Sequence, residues 1–255
     1  MAEKTVKTFK LADGSIVKFE KHESLESTAQ LAKSYANAGY PNKYVIFTEN
    51  QTKNSASDKQ MGIFLSCILR PSFFPSQAGL LAPLSAAALL TALEEHTASR
   101  LGIGWLSDIY CAGKRIGGVT IEGKLDSFSS YEYLIVSFTV LVDKKDFPPR
   151  LGDMIRQVFE GEHSSITEII AKTILQKFFS AYTSLKTPGK YMDVYSRRFI
   201  LTDKRIKYIK DGKKLSCRVV GIDNTTCALI VDIGKGETLR VTSPSGVVIP
   251  SRISF

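Results

Sequence analysis

The residues with the greatest capacity for chemistry lie between Trp105 and Glu122, in the run WLSDIYCAGKRIGGVTIE. An indole and a carboxylate three residues apart, Trp105 and Asp108, precede a turn carrying Lys114 and Arg115 and then the pair Gly117–Gly118. A guanidinium fork can hold an acidic ligand by two charge-assisted hydrogen bonds. Paired glycines let a ligand or a second strand come close to the backbone. Asp108 is expected to be ion-paired with Arg115 or Lys114. Trp105, the sole Trp, is read as a core aromatic at a helix-to-strand corner. Two further stretches carry polar groups in suggestive places. Ser27 and Thr28 open a helical pattern and can cap it. Gln51 ends an apolar strand and precedes a polar loop, Lys53 to Gln60, whose cations are Lys53 and Lys59. No metal site is expected: His22, His96 and His163 have no ligand spacing with each other or with Cys67, Cys111, Cys217 and Cys227. The four thiols are scattered and read as buried and reduced, which fits a cytoplasmic setting.

Positioning these groups requires a particular order of elements. Val6 to Phe19 alternates around the turn Ala12-Asp13-Gly14-Ser15 and predicts a β-hairpin. Helical spacing follows over Ser24–Ala38, then a buried strand at Tyr44–Phe47, the polar loop, and a strand at Gly62–Leu69. Leu84–Leu101 reads as a helix. Ile116–Ile121 and Tyr133–Val142 read as strands joined by a hydrophilic turn, and Ser165 with Glu168 forms a capping box for a further helix. Lys186-Thr-Pro-Gly-Lys190 reads as a linker. Beyond it only short strands between turns are expected, the pattern of a small barrel. No stretch is apolar enough to span a membrane, and no secretory leader is evident.

The net charge of +9 is unevenly placed: Lys186 to Arg218 holds eleven Lys/Arg against three Asp. Such a block coats a solvated surface or meets an acidic partner or a nucleic acid.

Taken in order, these segments resemble the biotin protein ligases. Trp105-x-x-Asp108 followed by Gly113-Lys-Arg-Ile-Gly-Gly118 is similar to that family's Lys-Trp-Pro-Asn-Asp and Lys/Arg-Lys-x-Ala/Gly-Gly core. Glu26-Ser27-Thr28 resembles its Asp-Ser-Thr-Asn helix start, and Thr48–Thr52 its Gln-Thr before the adenylate loop. Gly221-Ile-Asp223 with Ala228-Leu-Ile-Val231 resembles its C-terminal SH3-like domain. The resemblance implies an α+β fold. Residues 1–185 would form a mixed, mainly antiparallel sheet with flanking helices, and residues 190–255 an SH3-like β-barrel. It also implies the short form of the family, without a helix-turn-helix. The implied reaction converts biotin and ATP, with Mg, to biotinoyl-AMP and passes the acyl group to a lysine of a carrier protein. Arg115 and Asp108 would be the catalytic pair. Ser27, Thr28, Gln51, Trp105, Gly117 and Gly118 would surround biotin, and Lys53 and Lys59 would face the nucleotide.

The chain departs from the family at several positions. Gly104, Leu106 and Ser107 stand for Lys, Pro and Asn, and Arg115 stands for the key Lys. The family's Gly-Arg-Gly-Arg-x-Gly-Arg loop is replaced by Lys53–Gln60, which has neither Gly nor Arg. Negative charge accumulating on phosphorus needs cations and close backbone N–H groups, so little or no adenylate formation is expected. Val136–Leu141 replaces a Gly-x-Gly-x-Asn strand, and Phe138 with the hydroxyl residues Ser137 and Thr139 is expected to crowd a nucleotide there. Three functions follow from these features: a biotin (or lipoate) protein ligase with an altered nucleotide loop; a catalytically inactive homologue that binds a ligand or an acidic carrier; and a basic module binding nucleic acid or an acidic partner.

Overall fold

The N-terminal alternation closes as expected: β1 (Lys4–Lys10) pairs antiparallel with β2 (Ile16–His22). The computed structural model describes residues 4–52, 59–97, 99–141, 164–210, 212–234, 236–250 and 252–255. β2 lies parallel to β3 (Tyr44–Thr52), and α1 (Thr28–Asn37) supplies the crossover that a parallel pair needs. β4 (Lys59–Leu69) returns antiparallel to β3, and α2 (Leu81–Glu94) follows. β5 (Leu101–Ile103), β6 (Asp108–Cys111), β7 (Lys114–Leu125) and β8 (Tyr131–Leu141) complete an eight-stranded sheet of order β1-β2-β3-β4-β8-β7-β6-β5. α3 (Ser164–Thr183) and α4 (Gly189–Arg198) come next.

Strand alternation assigns the two faces of this sheet. Val45, Phe47, Ile63, Leu65, Val136 and Phe138 join α2, α3 and α4 in the main core, while Tyr44, Ile46, Ile68, Tyr133 and Ile135 pack beneath α1 with Ala32 and Ala36. α2 is buried along most of its length because it is apolar nearly all round. It ends at Glu94 rather than continuing to Leu101, since the polar stretch that follows offers nothing to bury and Leu101 pairs with Cys111 as strand.

Two polar devices fix α1 over the sheet. Arg70 donates to the carbonyls of Ala36, Tyr40 and Glu132, capping the helix C-terminus and tying it to β8. Glu20, fully buried, accepts from Tyr35 of α1 at 2.9 Å and from Tyr44 at 2.5 Å, and contacts His22 Nε2 at 2.6 Å. Burial pushes its carboxyl upward, but these hydrogen bonds and the Lys4 charge outweigh burial and hold it below the usual carboxylate range.

The C-terminal unit is a five-stranded antiparallel sheet of SH3-like size, β9 (Arg205–Lys210), β10 (Lys213–Ile222), β11 (Leu229–Gly234), β12 (Glu237–Val241) and β13 (Val247–Val248), in the order β12-β11-β10-β9-β13. Its own core includes Ile206, Cys217, Val219, Leu229 and Val231. The sequence suggested strands alone beyond Pro188. Instead Pro188 caps α4, whose Met192 and Tyr195 are buried in the main core. The supposed linker is the turn between α3 and α4, and the junction of the two units runs through Phe199–Lys204, where Ile200 N donates to Ile103 O at 3.0 Å. Among the described residues no helix is long and apolar enough to cross a membrane.

Candidate functional site

Beyond the N-terminus of α1, the sheet face it covers becomes polar. One cross-strand row runs Thr48, Phe64, Thr139, Gly118, Asp108, each opposite the next on neighbouring strands β3, β4, β8, β7 and β6. Beside it, under the helix start, Thr28 and Ser137 both lie 2.8 Å from the Ser66 hydroxyl. All three hydroxyls are buried, so each needs the partner it has. This row and the hydroxyl cluster form the polar part of that face, hereafter the groove, which one helix end and five strands hold in place; Thr48, Phe64, Ser66 and Gly118 in it are buried, and Thr139 and Asp108 partly buried.

Ser27 caps α1, its Oγ accepting from Gln30 N at 3.2 Å. Gln51 lies beside this segment: Leu25 and Gln51 form a parallel bridge, and Thr52 N donates to Leu25 O at 3.0 Å. Ser27, Thr28 and Gln51 therefore belong to one side of the groove. Arg115 belongs to the other. Its Nε donates to Asp108 Oδ1 at 2.6 Å, with Arg115 about half exposed and Asp108 less so. Gln51 and Arg115 stand three strands apart, about 14 Å at the usual strand spacing of about 4.8 Å. They can act on one ligand only if it spans the groove.

A β-bulge decides that Arg115 is there at all. Ile109 pairs with Gly117 but Tyr110 pairs with Arg115, so Ile116 is the extra residue. Ile116 joins the main core, and Arg115 turns to the Asp108 side. Strict alternation from Val119 and Gly117 would have pointed Arg115 into the apolar core. A bulge re-aims a side chain in this way. The Asp108 charge and, more strongly, burial push the neighbouring Tyr110 hydroxyl above its ordinary range.

The glycines serve strand approach. A Cβ on Gly117 would lie 2.0 Å from Thr139 O; on Gly118 it would meet Ser107 O at 2.7 Å and Asp108 Oδ1 at 3.1 Å. Gly118 thus leaves room for the Asp108 carboxylate against β7.

Two residues expected at the site face elsewhere. Trp105, expected beside the acyl group, donates its indole N–H to Cys227 O at 2.8 Å and is buried in the core of the C-terminal unit. Its described contacts fasten the two units. Asp223 builds the receiving turn: it accepts from Thr225 N, Thr226 N and Arg240, and the bonds from Thr226 lead in drawing its carboxyl down to about 2. Phe138, expected to crowd a nucleotide, points to the opposite face, with its ring against Phe178 at 5.1 Å. Ser137 and Thr139 are what β8 offers the groove. Lys53 lies outside the described residues. Lys59 begins β4, and its side chain lies outside the description.

The loop from Gly104 to Asp108 has a geometry of its own. Leu106 has φ +66°, a value that proline, fixed near −65°, cannot take. A Cβ at Gly104 would come within 2.7 Å of the Tyr110 ring. The Lys and Pro of the resembled motif would therefore not fit this turn. Among the described residues no cluster of His, Cys, Asp and Glu could hold a metal ion.

Sequence reading singled out Ser137 and Thr139 only as obstacles to a nucleotide, and missed Thr48 and Ser66 as part of this face. A signal existed: one Ser in GIFLSCIL, and Ser and Thr at alternate positions of LIVSFTVL, strands otherwise apolar enough to be buried on both faces.

No family model matches the chain. In sequence it is similar to the bifunctional ligase/repressor BirA of Bacillus subtilis, 25% identical over 177 residues, which cover 66% of this chain and 54% of that protein. The chain thus spans about half the length of the curated relatives it matches. In structure it is similar to the biotin protein ligase from Aquifex aeolicus in complex with biotin and ATP, with a TM-score of 0.67, 16% identity, and coverage of 90% of this chain and 97% of that one. A biotin protein ligase-like protein of unknown function from Silicibacter sp. TM1040 aligns with a TM-score of 0.60 and 12% identity, over 93% of this chain and 97% of that one.

Proposed function

As the chain belongs to the biotin protein ligase family, we propose that its groove binds biotin and that its activity is biotin–protein ligation. The adenylation half-reaction would be slow. The observation carrying this reading is the single groove face shared by Ser27, Thr28 and Gln51 on one side and the bulge-directed Arg115 on the other. Biotin offers the matching chemistry: a polar ring for the hydroxyl end, an apolar chain for the floor over Phe64 and Gly118, and a carboxylate for the guanidinium. Arg115 would neutralise the carboxylate and then face the charge that builds up when it attacks the ATP α-phosphate. Asp108 orients Arg115 through the 2.6 Å bond. ATP, with Mg, would supply the adenylyl group, pyrophosphate leaving as the carboxylate–phosphorus bond forms, and Lys53 and Lys59 are the cations that the loop sequence provides for it. The acceptor would be a carrier-protein lysine.

A second reading, biotin binding without turnover, is favoured by one specific feature: the absence of Gly and Arg between Lys53 and Gln60. Biotin titration followed by biotin-dependent ATP–pyrophosphate exchange separates the two. Binding with exchange that Arg115→Ala abolishes supports ligation. Binding without exchange leaves the second reading, and failure to bind biotin rejects both.

A further inference from the structure

We infer that the pocket at the junction of the two units is a binding site for a phosphate-type anion, separate from the groove. It encloses about 190 Å³ where the residue leading into β5, the end of α4 and the first turn of the C-terminal unit meet, and it is lined by Arg100, Arg197, Arg198, Lys204, Thr202 and Phe255. Four cations from three parts of the chain thus face one cavity. Like charges gathered this way repel unless something offsets them. Glu94 offsets Arg198 at 2.7 Å. No ion pair among the described residues involves Arg100, Arg197 or Lys204. The Arg197 Nε donates to the Asp193 carbonyl at 3.2 Å, and the Arg100 guanidinium lies 6.0 Å from the centre of the Phe255 ring.

Two carboxylates of the C-terminal unit are committed elsewhere. Asp203, next to Lys204, pairs with Arg218 at 3.0 Å, and Asp232 pairs with the same guanidinium. The basic block from Lys186 to Arg218 is therefore partly neutralised on the strands and, at this pocket, by Glu94 on Arg198, which leaves Arg197 and Lys204 without an ion pair among the described residues. Two arginines in the last turn of α4 would complement its dipole by themselves. Arg100 and Lys204 come from other elements and exceed that need.

Size and chemistry select the ligand. The cavity is smaller than the roughly 300–1,000 Å³ of sites for drug-sized molecules, and guanidinium forks match the oxygens of a phosphoryl group in pairs. Free phosphate or the phosphoryl end of a small monoester fits both limits. Its position gives it an effect: bridging Arg100, Arg197 and Lys204, it would fasten the C-terminal unit to the edge of the large sheet, as Trp105 does nearby through Cys227.

The test is calorimetric titration and thermal unfolding of the full chain with inorganic phosphate and with glycerol 3-phosphate, at ionic strength held constant with chloride. The expected result is saturable one-to-one binding that raises the melting temperature. Arg100→Gln with Lys204→Gln should weaken it at least tenfold and leave biotin binding unchanged. Arg197→Lys, which keeps the charge but loses the fork, should weaken it less. Tighter binding of the ester than of free phosphate would identify a monoester as the ligand; the reverse order would identify the free ion. Equal stabilisation by chloride alone, undiminished binding in the double variant, or binding of poly-glutamate without phosphate would overturn the inference, the last in favour of protein docking.

Discussion

The two faces of the eight-stranded sheet are built from the same strands and behave as different materials. Toward α2, α3 and α4, β3, β4 and β8 present Val, Phe, Ile and Leu in an unbroken apolar layer. Toward α1 the same strands change character partway along. Tyr44, Ile46 and Ile68 seal the part beneath the helix, and Thr48, Ser66, Ser137 and Thr139 carry on past its N-terminus. Apolar packing needs only complementary volume, whereas each buried hydroxyl needs a specific partner at a specific distance. The sealed apolar face therefore accounts for stability, and the polar face, the open one toward Asp108 and Arg115, is the one proposed for recognition. Substitutions on the two faces should separate these roles.

The largest effect is expected on the sealed face. Phe138→Ala should cost about 3–5 kcal/mol of stability, the usual scale for emptying a buried aromatic site, measured by urea denaturation. Biotin affinity per folded molecule should stay unchanged, and Phe138→Gly should not restore nucleotide binding. A gain in nucleotide binding would contradict the orientation of this ring.

On the open face, Arg115→Ala should weaken biotin by about 2 kcal/mol, the scale of a charge-assisted hydrogen bond, read by titration. Its exposed pair with Asp108 is worth at most about 1 kcal/mol to folding, so the melting temperature should hardly move. The opposite pattern, lost stability with unchanged affinity, would make the pair structural.

Ser66→Ala should combine both signatures. It strands the Thr28 and Ser137 hydroxyls, costing about 1–3 kcal/mol of stability, and it loosens the helix start over the groove. Ser66→Ala together with Ser137→Ala should cost less than the sum of the single changes, because they share one network.

The turn at Leu106 gives a smaller effect of opposite sign. Relief of its left-handed backbone by Leu106→Gly should stabilise the protein by about 1 kcal/mol, less whatever packing the Leu side chain provides, and Leu106→Pro should destabilise it.

The smallest effect concerns the anchor beneath Trp105. Asp223 has its carboxyl drawn from an ordinary 3.8 to about 2. A depressed carboxyl stabilises the fold above its unfolded value and loses that contribution as pH falls toward the folded value. Wild type and Asp223→Asn should therefore converge in stability between about pH 4 and pH 2, followed by thermal unfolding across that range. Curves that stay parallel would show that Asp223 is not the titrating group.

Much of the architecture was legible beforehand because it rests on periodicity and turn chemistry. The first hairpin, the buried strands, the β7–β8 hairpin around Asp126–Ser130 and the strands of the C-terminal unit all follow from alternation broken by Gly, Asp, Asn and Ser. α4 was not legible. Its apolar positions are few, and it is helical because Met192 and Tyr195 find a core made by distant α2, information that no local window contains. The groove was half legible. Ser27, Thr28 and Gln51 could be grouped from the resemblance alone, whereas Ser66 and Ser137 are 71 residues apart and meet only because β4 and β8 are neighbours.

By itself the sequence determined which residues could lie on strands, where α1 is capped, that positive charge gathers between Lys186 and Arg218, and that the loop from Lys53 to Gln60 has no glycine or arginine to wrap a phosphate. These are properties of residues and their near neighbours. Only the tertiary structure decided which way the decisive side chains face. Phe138 belongs to the core because β8 is sandwiched between β4 and β7 in one register. Trp105 belongs to the junction because Cys227 presents a carbonyl there. Arg115 reaches the open face because one extra residue, Ile116, is absorbed in a bulge. In a strand, facing is set by parity, and a single inserted residue reverses parity for everything beyond it. That reversal is fixed by pairing with β6, and the spacing within Lys114–Gly118 cannot reveal it.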